Sequence, residues 1–248
     1  LHSLRRRQRQ MCIRDSARAD AFQRTICFHT KHRKGQKYSV EFSFENREAY
    51  LDFSHVGLEY SEEKHGGEKQ GANGLAEPAD VWLAQQQPHI RFTPLIRELA
   101  AEIVGEEQDP LKKARRIYDY ITTHVMYSFV RSYFTLTDIP QYAASSMKGD
   151  CGVQALLFIT LCRETGIPAR WQAGLYTSPF EISCHDWAQF YTNAHGWRCA
   201  DCSFGGAAYR EGDTERWDFY FGNLDPFRLP AAREFGYEFE PVSYTHLR

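Results

Sequence analysis

An α+β domain, with a buried helix packed on an antiparallel sheet and a small β-rich segment before it, is what the sequence predicts on three observations. Residues 153–164 (VQALLFITLCRE) are apolar nearly all round, the pattern of a helix enclosed on every side. Residues 185–203 (HDWAQFYTNAHGWRCADCS) read as two strand-like runs about a turn-rich centre. Between residues 93 and 125 lie two amphipathic helical patterns with clear start and stop signals. A chain of 248 residues suits one substantial domain with a smaller partner.

Taken in order, residues 1–16 contain a basic stretch, RRRQRQMCIRDS, with no apolar segment of a secretory signal. MCIRDS and the terminal VSYTHLR resemble translated sequencing-adapter read-through, so 1–16 and 242–248 are expected to be non-native and are left out of the fold reasoning. Residues 22–60 predict β-structure. From Lys37 to Phe44 apolar and polar side chains alternate at period 2, and Ala49 to Phe53 can return as the partner strand. Residues 61–80, polar and Gly-rich, predict a linker. Thr93-Pro94 then gives an N-cap followed by proline at the first helical position. Leu95, Ile96, Leu99, Ile103 and Val104 form one apolar face, and Gly105 is the stop. Asp109-Pro110 repeats the start. Leu111, Ala114, Ile117, Tyr118, Ile121 and Val125 make its stripe, with Lys112, Lys113, Arg115 and Arg116 on the wet side. Residues 126–146 are aromatic-rich without a readable period. Trp217 to Asp225 predicts a further strand and turn.

The chemistry gathers on the central helix and the hairpin. Cys151 opens the helix, where free N–H groups and the positive end of the macrodipole favour thiolate over thiol and can stabilise an oxyanion. Thr165-Gly166-Ile167-Pro168 ends the helix. If the hairpin loop runs from Thr192 to Gly196, Tyr191 opposes Trp197, Trp187 opposes Asp201 and His185 opposes Ser203. His185, Trp187 and Asp201 then share one face and Asp186 points to the other, so Asp201 is the carboxylate within reach of the imidazole. A loop of even length would reverse that. The ordered set of Cys151 as nucleophile, His185 as base and Asp201 as orienting carboxylate follows triad logic.

A rival chemistry is a zinc site built from Cys184, His185, Cys199 and Cys202. Period 2 puts Cys199 and Cys202 on opposite faces, so such a site requires the strand to break. Seven cysteines cannot all pair within one chain, and several sit in apolar runs, which leans toward a reducing, cytoplasmic compartment. A net charge of −2 argues against nucleic acid or an anionic membrane surface as partner, and no apolar run is long enough to span a bilayer. Trp171, Trp187 and Trp197 with Tyr176 and Tyr191 offer either a substrate groove or core packing.

The run GDCGVQALLFITLCRETGIPAR resembles the nucleophile-helix motif of the transglutaminase-like superfamily, HDWAQFY its His-x-Trp motif and GWRCADCSFG its Trp-x-x-x-Asp motif, in the family's order. The resemblance covers roughly residues 90–225. It implies a papain-like core, of bacterial type, over residues 81–241, with Cys151, His185 and Asp201 as catalytic triad. It also implies thioester chemistry on a peptide or protein substrate, ending in hydrolysis or transamidation, with no cofactor. Asp186 departs from the family pattern, which more usually has a small or apolar residue there, as do the cysteines flanking Asp201. The alternative is a non-catalytic binding or scaffold module on the same fold.

Overall fold

The computed structural model describes residues 12–15, 26–29, 34–35, 37, 39, 44–46, 50–56 and 80–235. The chain divides into one unit of residues 1–45 with 232–248 and a second of residues 46–231. In the first, β1 (Cys12–Asp15) pairs antiparallel with β2 (Ile26–His29). β1 lies inside the segment whose sequence reads as non-native. The strand expected over residues 37–44, and all of the linker but Asp80, fall largely or wholly outside the described residues.

In the second unit the expected return strand ending at Phe53 is absent, since residues 50–53 belong to no strand. Side chains hold this extended stretch instead. Asn223 accepts from Leu51 N (3.0 Å) and donates to Leu51 O (2.9 Å), while the Phe53 ring meets Phe221 edge-on.

α1 (Pro94–Val104) begins as its cap predicts, with Thr93 Oγ1 accepting from Ile96 N and Ile96, Leu99, Ala100 and Val104 buried. α2 (Pro110–His124) starts at Asp109, whose carboxylate accepts from Lys112 N at 2.9 Å. One expectation for α2 fails. Arg115 is buried rather than wet, because Asp119 (2.7 Å) and Asp218 (2.6 Å) neutralise it and the Trp217 ring covers it. Residues 126–149 resolve into β3 (Met126–Tyr127), a single 3-10 turn (Tyr133–Thr135), α3 (Ile139–Ser146) and β4 (Lys148–Gly149), with β3 and β4 parallel.

α4 (Cys151–Glu164) is the central helix, and every residue from Gly152 to Arg163 is buried. It lies against a five-stranded sheet of order β8-β7-β6-β5-β9. The strands are β5 (Ala169–Thr177), β6 (Ile182–Thr192), β7 (Gly196–Ala200), β8 (Phe221–Gly222) and β9 (Arg228–Ala232). Phe158 of α4 meets Phe190 of β6, which stacks on Phe221 of β8, so the core runs through three elements. At the β5–β9 seam a Cβ on Gly174 would sit 1.9 Å from Leu229 O, so only glycine admits the close approach of β9.

The hairpin register is as read from the sequence, with Tyr191 opposite Trp197 and Ala188 opposite Ala200. Its second arm is shorter than expected. β7 stops at Ala200, and Asp201 caps α5 (Cys202–Glu211), so Ser203 is helical rather than opposed to His185. The Asp201 carboxylate accepts from Phe204 N and turns the chain into a helix at once. α6 (Thr214–Phe219) likewise replaces most of the strand expected after Trp217. Among the described residues no helix is long and apolar enough to cross a membrane.

Candidate active site

Cys151 is the first residue of α4, one position after its cap. Asp150 Oδ1 accepts from Val153 N (3.0 Å), and Gln154 N bonds back to Asp150 O (3.0 Å). The N–H groups of Cys151 and Gly152 are therefore the ones for which the helix offers no acceptor. Tyr133 donates its hydroxyl to Asp150 Oδ1 at 2.5 Å, tying the preceding loop to the helix head. A Cβ at Gly152 would lie 2.2 Å from the Tyr133 hydroxyl and 2.8 Å from Asp186 Oδ2, so any side chain here must displace both groups.

His185 and Asp201 come together as the hairpin register demands. His185 Nε2 lies 2.7 Å from Asp201 Oδ2, and both side chains are buried. A carboxylate only accepts, so Nε2 carries the proton and Nδ1 is left as the basic nitrogen. No described residue bonds to Nδ1. The ring lies against Phe204 (4.6 Å between centroids) and stacks on Trp187 (6.1 Å).

Asp201 is supplied with four donors. Oδ1 accepts from Ser203 Oγ and Phe204 N, both 3.0 Å. Oδ2 accepts from His185 and from Arg228 Nη1 at 2.8 Å. Burial alone would push this carboxyl up. The His185 interaction, then Arg228 and the Phe204 N–H, overcome it and hold the group far below the usual carboxylate range. It stays ionised at any working pH.

The sulfur itself faces Asp186. Cys151 Sγ donates to Asp186 Oδ2 at 3.7 Å, and no hydrogen bond joins Cys151 to His185 among the described residues. Burial pushes the Cys151 thiol up to about 12. The Asp186 charge adds to this, the Asp186 backbone N–H opposes it, and Asp150 adds again. The helix-terminus argument for a ready thiolate is thus outweighed in this state. Asp186 is raised to about 6, chiefly by burial, with His185 acting to lower it. His185 and Asp186 leave β6 on opposite sides, yet Asp186 touches the sulfur. Consecutive residues of one strand therefore meet Asp201 and the Cys151 sulfur.

Arg228 gave no signal in the sequence. Its guanidinium, 2% exposed, bonds Asp201 through Nη1 and Asp225 through Nε (2.9 Å) and Nη2 (2.7 Å). The rings of Phe204 (4.3 Å) and Tyr176 (5.2 Å) cover it. Only the pairing of β9 with β5 brings it to the site.

The cysteines considered as zinc ligands differ in their surroundings: Cys184 is exposed, while Cys199 and Cys202 are buried. Among the described residues no group of three or more His, Cys, Asp or Glu is arranged to hold a metal ion. The tryptophans of the possible groove pack instead. Trp171 and Trp187 are buried, and Trp197 stacks under Arg170 at 3.9 Å.

Residues 97–202 match the family model of the transglutaminase-like superfamily. The chain is similar in structure to a candidate cysteine protease from Cytophaga hutchinsonii, at 22% identity and a TM-score of 0.43 over 50% of this chain and 41% of that one. It is similar also to the periplasmic domain of TgpA from Pseudomonas aeruginosa, at 20% identity and a TM-score of 0.43 over 54% of this chain and 50% of that one. The chain thus spans half or less of these solved structures. No curated protein matches its sequence.

Proposed function

We propose that this chain, which carries a transglutaminase-like core over residues 97–202, is a cysteine-dependent acyl-transfer enzyme acting on peptide or glutamine carboxamide carbonyls. Cys151 Sγ attacks the carbonyl carbon while its proton passes to His185 Nδ1. The carbonyl oxygen, now anionic, takes the free N–H groups of Cys151 and Gly152. Collapse to a thioester expels the amine or ammonia, which leaves with the proton from His185. Water or a primary amine then takes the acyl group and returns the thiol. Asp201 keeps the imidazole in the tautomer that leaves Nδ1 basic.

One observation carries the reading: the 2.7 Å His185–Asp201 bond sits on the strand whose next residue touches the Cys151 sulfur. The test is to incubate the protein with a glutamine-containing peptide and follow acyl-enzyme by mass spectrometry. Cys151→Ala and His185→Ala serve as controls. An adduct on Cys151 that disappears in both variants is expected. Recovery of acid or of amine conjugate identifies the acceptor.

A second reading, a non-catalytic module on the same fold, is favoured by the sulfur bonding to Asp186 and not to the imidazole, with the thiol held up at about 12. It prevails if no adduct forms and His185→Ala leaves the alkylation rate of Cys151 unchanged.

A further inference from the structure

We propose that Arg228 is a positioning residue, one that fixes the Asp201 carboxylate and competes with the His185 ring for its negative charge; this rests on the acyl-transfer reading above. The guanidinium shares one oxygen, Asp201 Oδ2, with His185 Nε2 at 2.8 and 2.7 Å. A cation at that distance competes with an imidazolium for the same negative charge. With Arg228 in place the buried carboxylate is already neutralised, so a second positive charge on the ring gains less. Without it, His185 would be the one cation left to bond Asp201 among the described residues, and the ring would hold its proton more tightly than with Arg228 present.

The fork matters as much as the charge. Nη1 meets Asp201, while Nε and Nη2 both meet Asp225 Oδ2, so the plane of the guanidinium is set by two carboxylates and by the rings above it. Asp201 has its other oxygen on Ser203 and Phe204. Its orientation is thereby fixed from both ends, as is the ring that bonds it.

The other titratable neighbours do not replace this cation. On the strands, Asp186 adds negative charge beside the pair, and Tyr176 lends its ring to the guanidinium. Tyr220, before β8, bonds Asp225 and is pushed up by burial. On the helices, Cys151, Cys202 and Tyr118 are all pushed up by burial and are neutral at pH 7. Tyr127 on β3 is likewise raised by burial. Arg228 is the one cation bonded to Asp201 besides a protonated His185 among the described residues.

The experiment is a titration of the His185 ring by ¹⁵N NMR in the full chain, a readout that does not depend on turnover. In Arg228→Met the ring midpoint should rise by at least about one pH unit, and any acyl-transfer rate should fall about tenfold at pH 7 and recover above pH 8. Arg228→Lys, which keeps the charge and loses the fork, should restore the midpoint without restoring the full rate. Asp225→Asn frees Arg228 from its second carboxylate and should move the midpoint the opposite way, which keeps the test alive if Arg228→Met does not fold. An unmoved midpoint in Asp225→Asn, or a rate that falls equally at every pH in Arg228→Met, would overturn the proposal. Shifted midpoints in a protein that forms no thioester would sink the enzyme reading and leave this assignment standing.

Discussion

Replacing Asp186 by Asn should make Cys151 more reactive, and the gain should depend on pH. The substitution keeps the side-chain shape and the backbone N–H while removing a charge 3.7 Å from the sulfur. Two unit charges at that distance, in an effective dielectric of about 20, repel by about 4.5 kcal/mol. Both residues are partly open to solvent, and screening brings this to about 1.4–2.8 kcal/mol, or ten- to a hundredfold more thiolate. A less basic thiolate is a weaker nucleophile, with a slope of about 0.4–0.5, so the net gain in alkylation is about three- to tenfold. Burial, the larger cause of the raised thiol, is untouched, so Cys151 remains less acidic than a free cysteine. The assay is iodoacetamide labelling followed by peptide mass spectrometry, with exposed Cys184 as reference within the same molecule. At pH 8 the variant should label Cys151 faster than the wild type. The ratio should fall toward one below about pH 6, where Asp186 takes up its own proton. Equal rates at pH 8, or a ratio that ignores pH, would refute the reasoning.

Three more outcomes follow from the same geometry. The raised Asp186 also bears on stability: between about pH 4 and 6 the folded chain holds a proton that the unfolded chain has released, so stability falls as pH rises through that window and levels off above it. Denaturant titrations should show Asp186→Asn gaining about 1–2 kcal/mol over wild type at pH 8 that it does not gain at pH 4. Asp201→Asn should lower any acyl-transfer rate by about 10³–10⁴-fold, since an amide that can donate favours the wrong imidazole tautomer; it also removes one of the two carboxylates that neutralise buried Arg228, so its melting point should drop as well. Gly174→Ala places a methyl group 1.9 Å from Leu229 O, which must move, and should cost about 1–3 kcal/mol by thermal denaturation. Because Leu229 follows Arg228, the variant should also shift the His185 titration upward, as loss of the guanidinium would.

The helices were legible because each carries its own punctuation. Thr93-Pro94 and Asp109-Pro110 cap as their residue types require, and the run after Cys151 is apolar on all sides because strands and helices enclose it. The hairpin register followed from a turn-rich centre and the period of 2, which was enough to bring His185 to Asp201 rather than to leave it with Asp186. Arg115 was misread because helical periodicity marks a charged residue as wet. Its burial depends on Asp218, more than a hundred residues away. Asp201 was read as a strand residue because a cap and a strand end share the same extended backbone. Only the bond from Phe204 N distinguishes them.

The sequence by itself determined the local things: which segments coil, where α4 begins, and which residues of one hairpin share a face. These depend on neighbours within a few positions. The tertiary structure decided the electrostatics of the site. Whether the Cys151 thiol is acidic depends on burial and on Asp186, 35 residues away, and how firmly Asp201 is held charged depends on His185 and on Arg228, 27 residues beyond it. Charge interactions fall off with distance in space, not along the chain, so only the folded molecule fixes them.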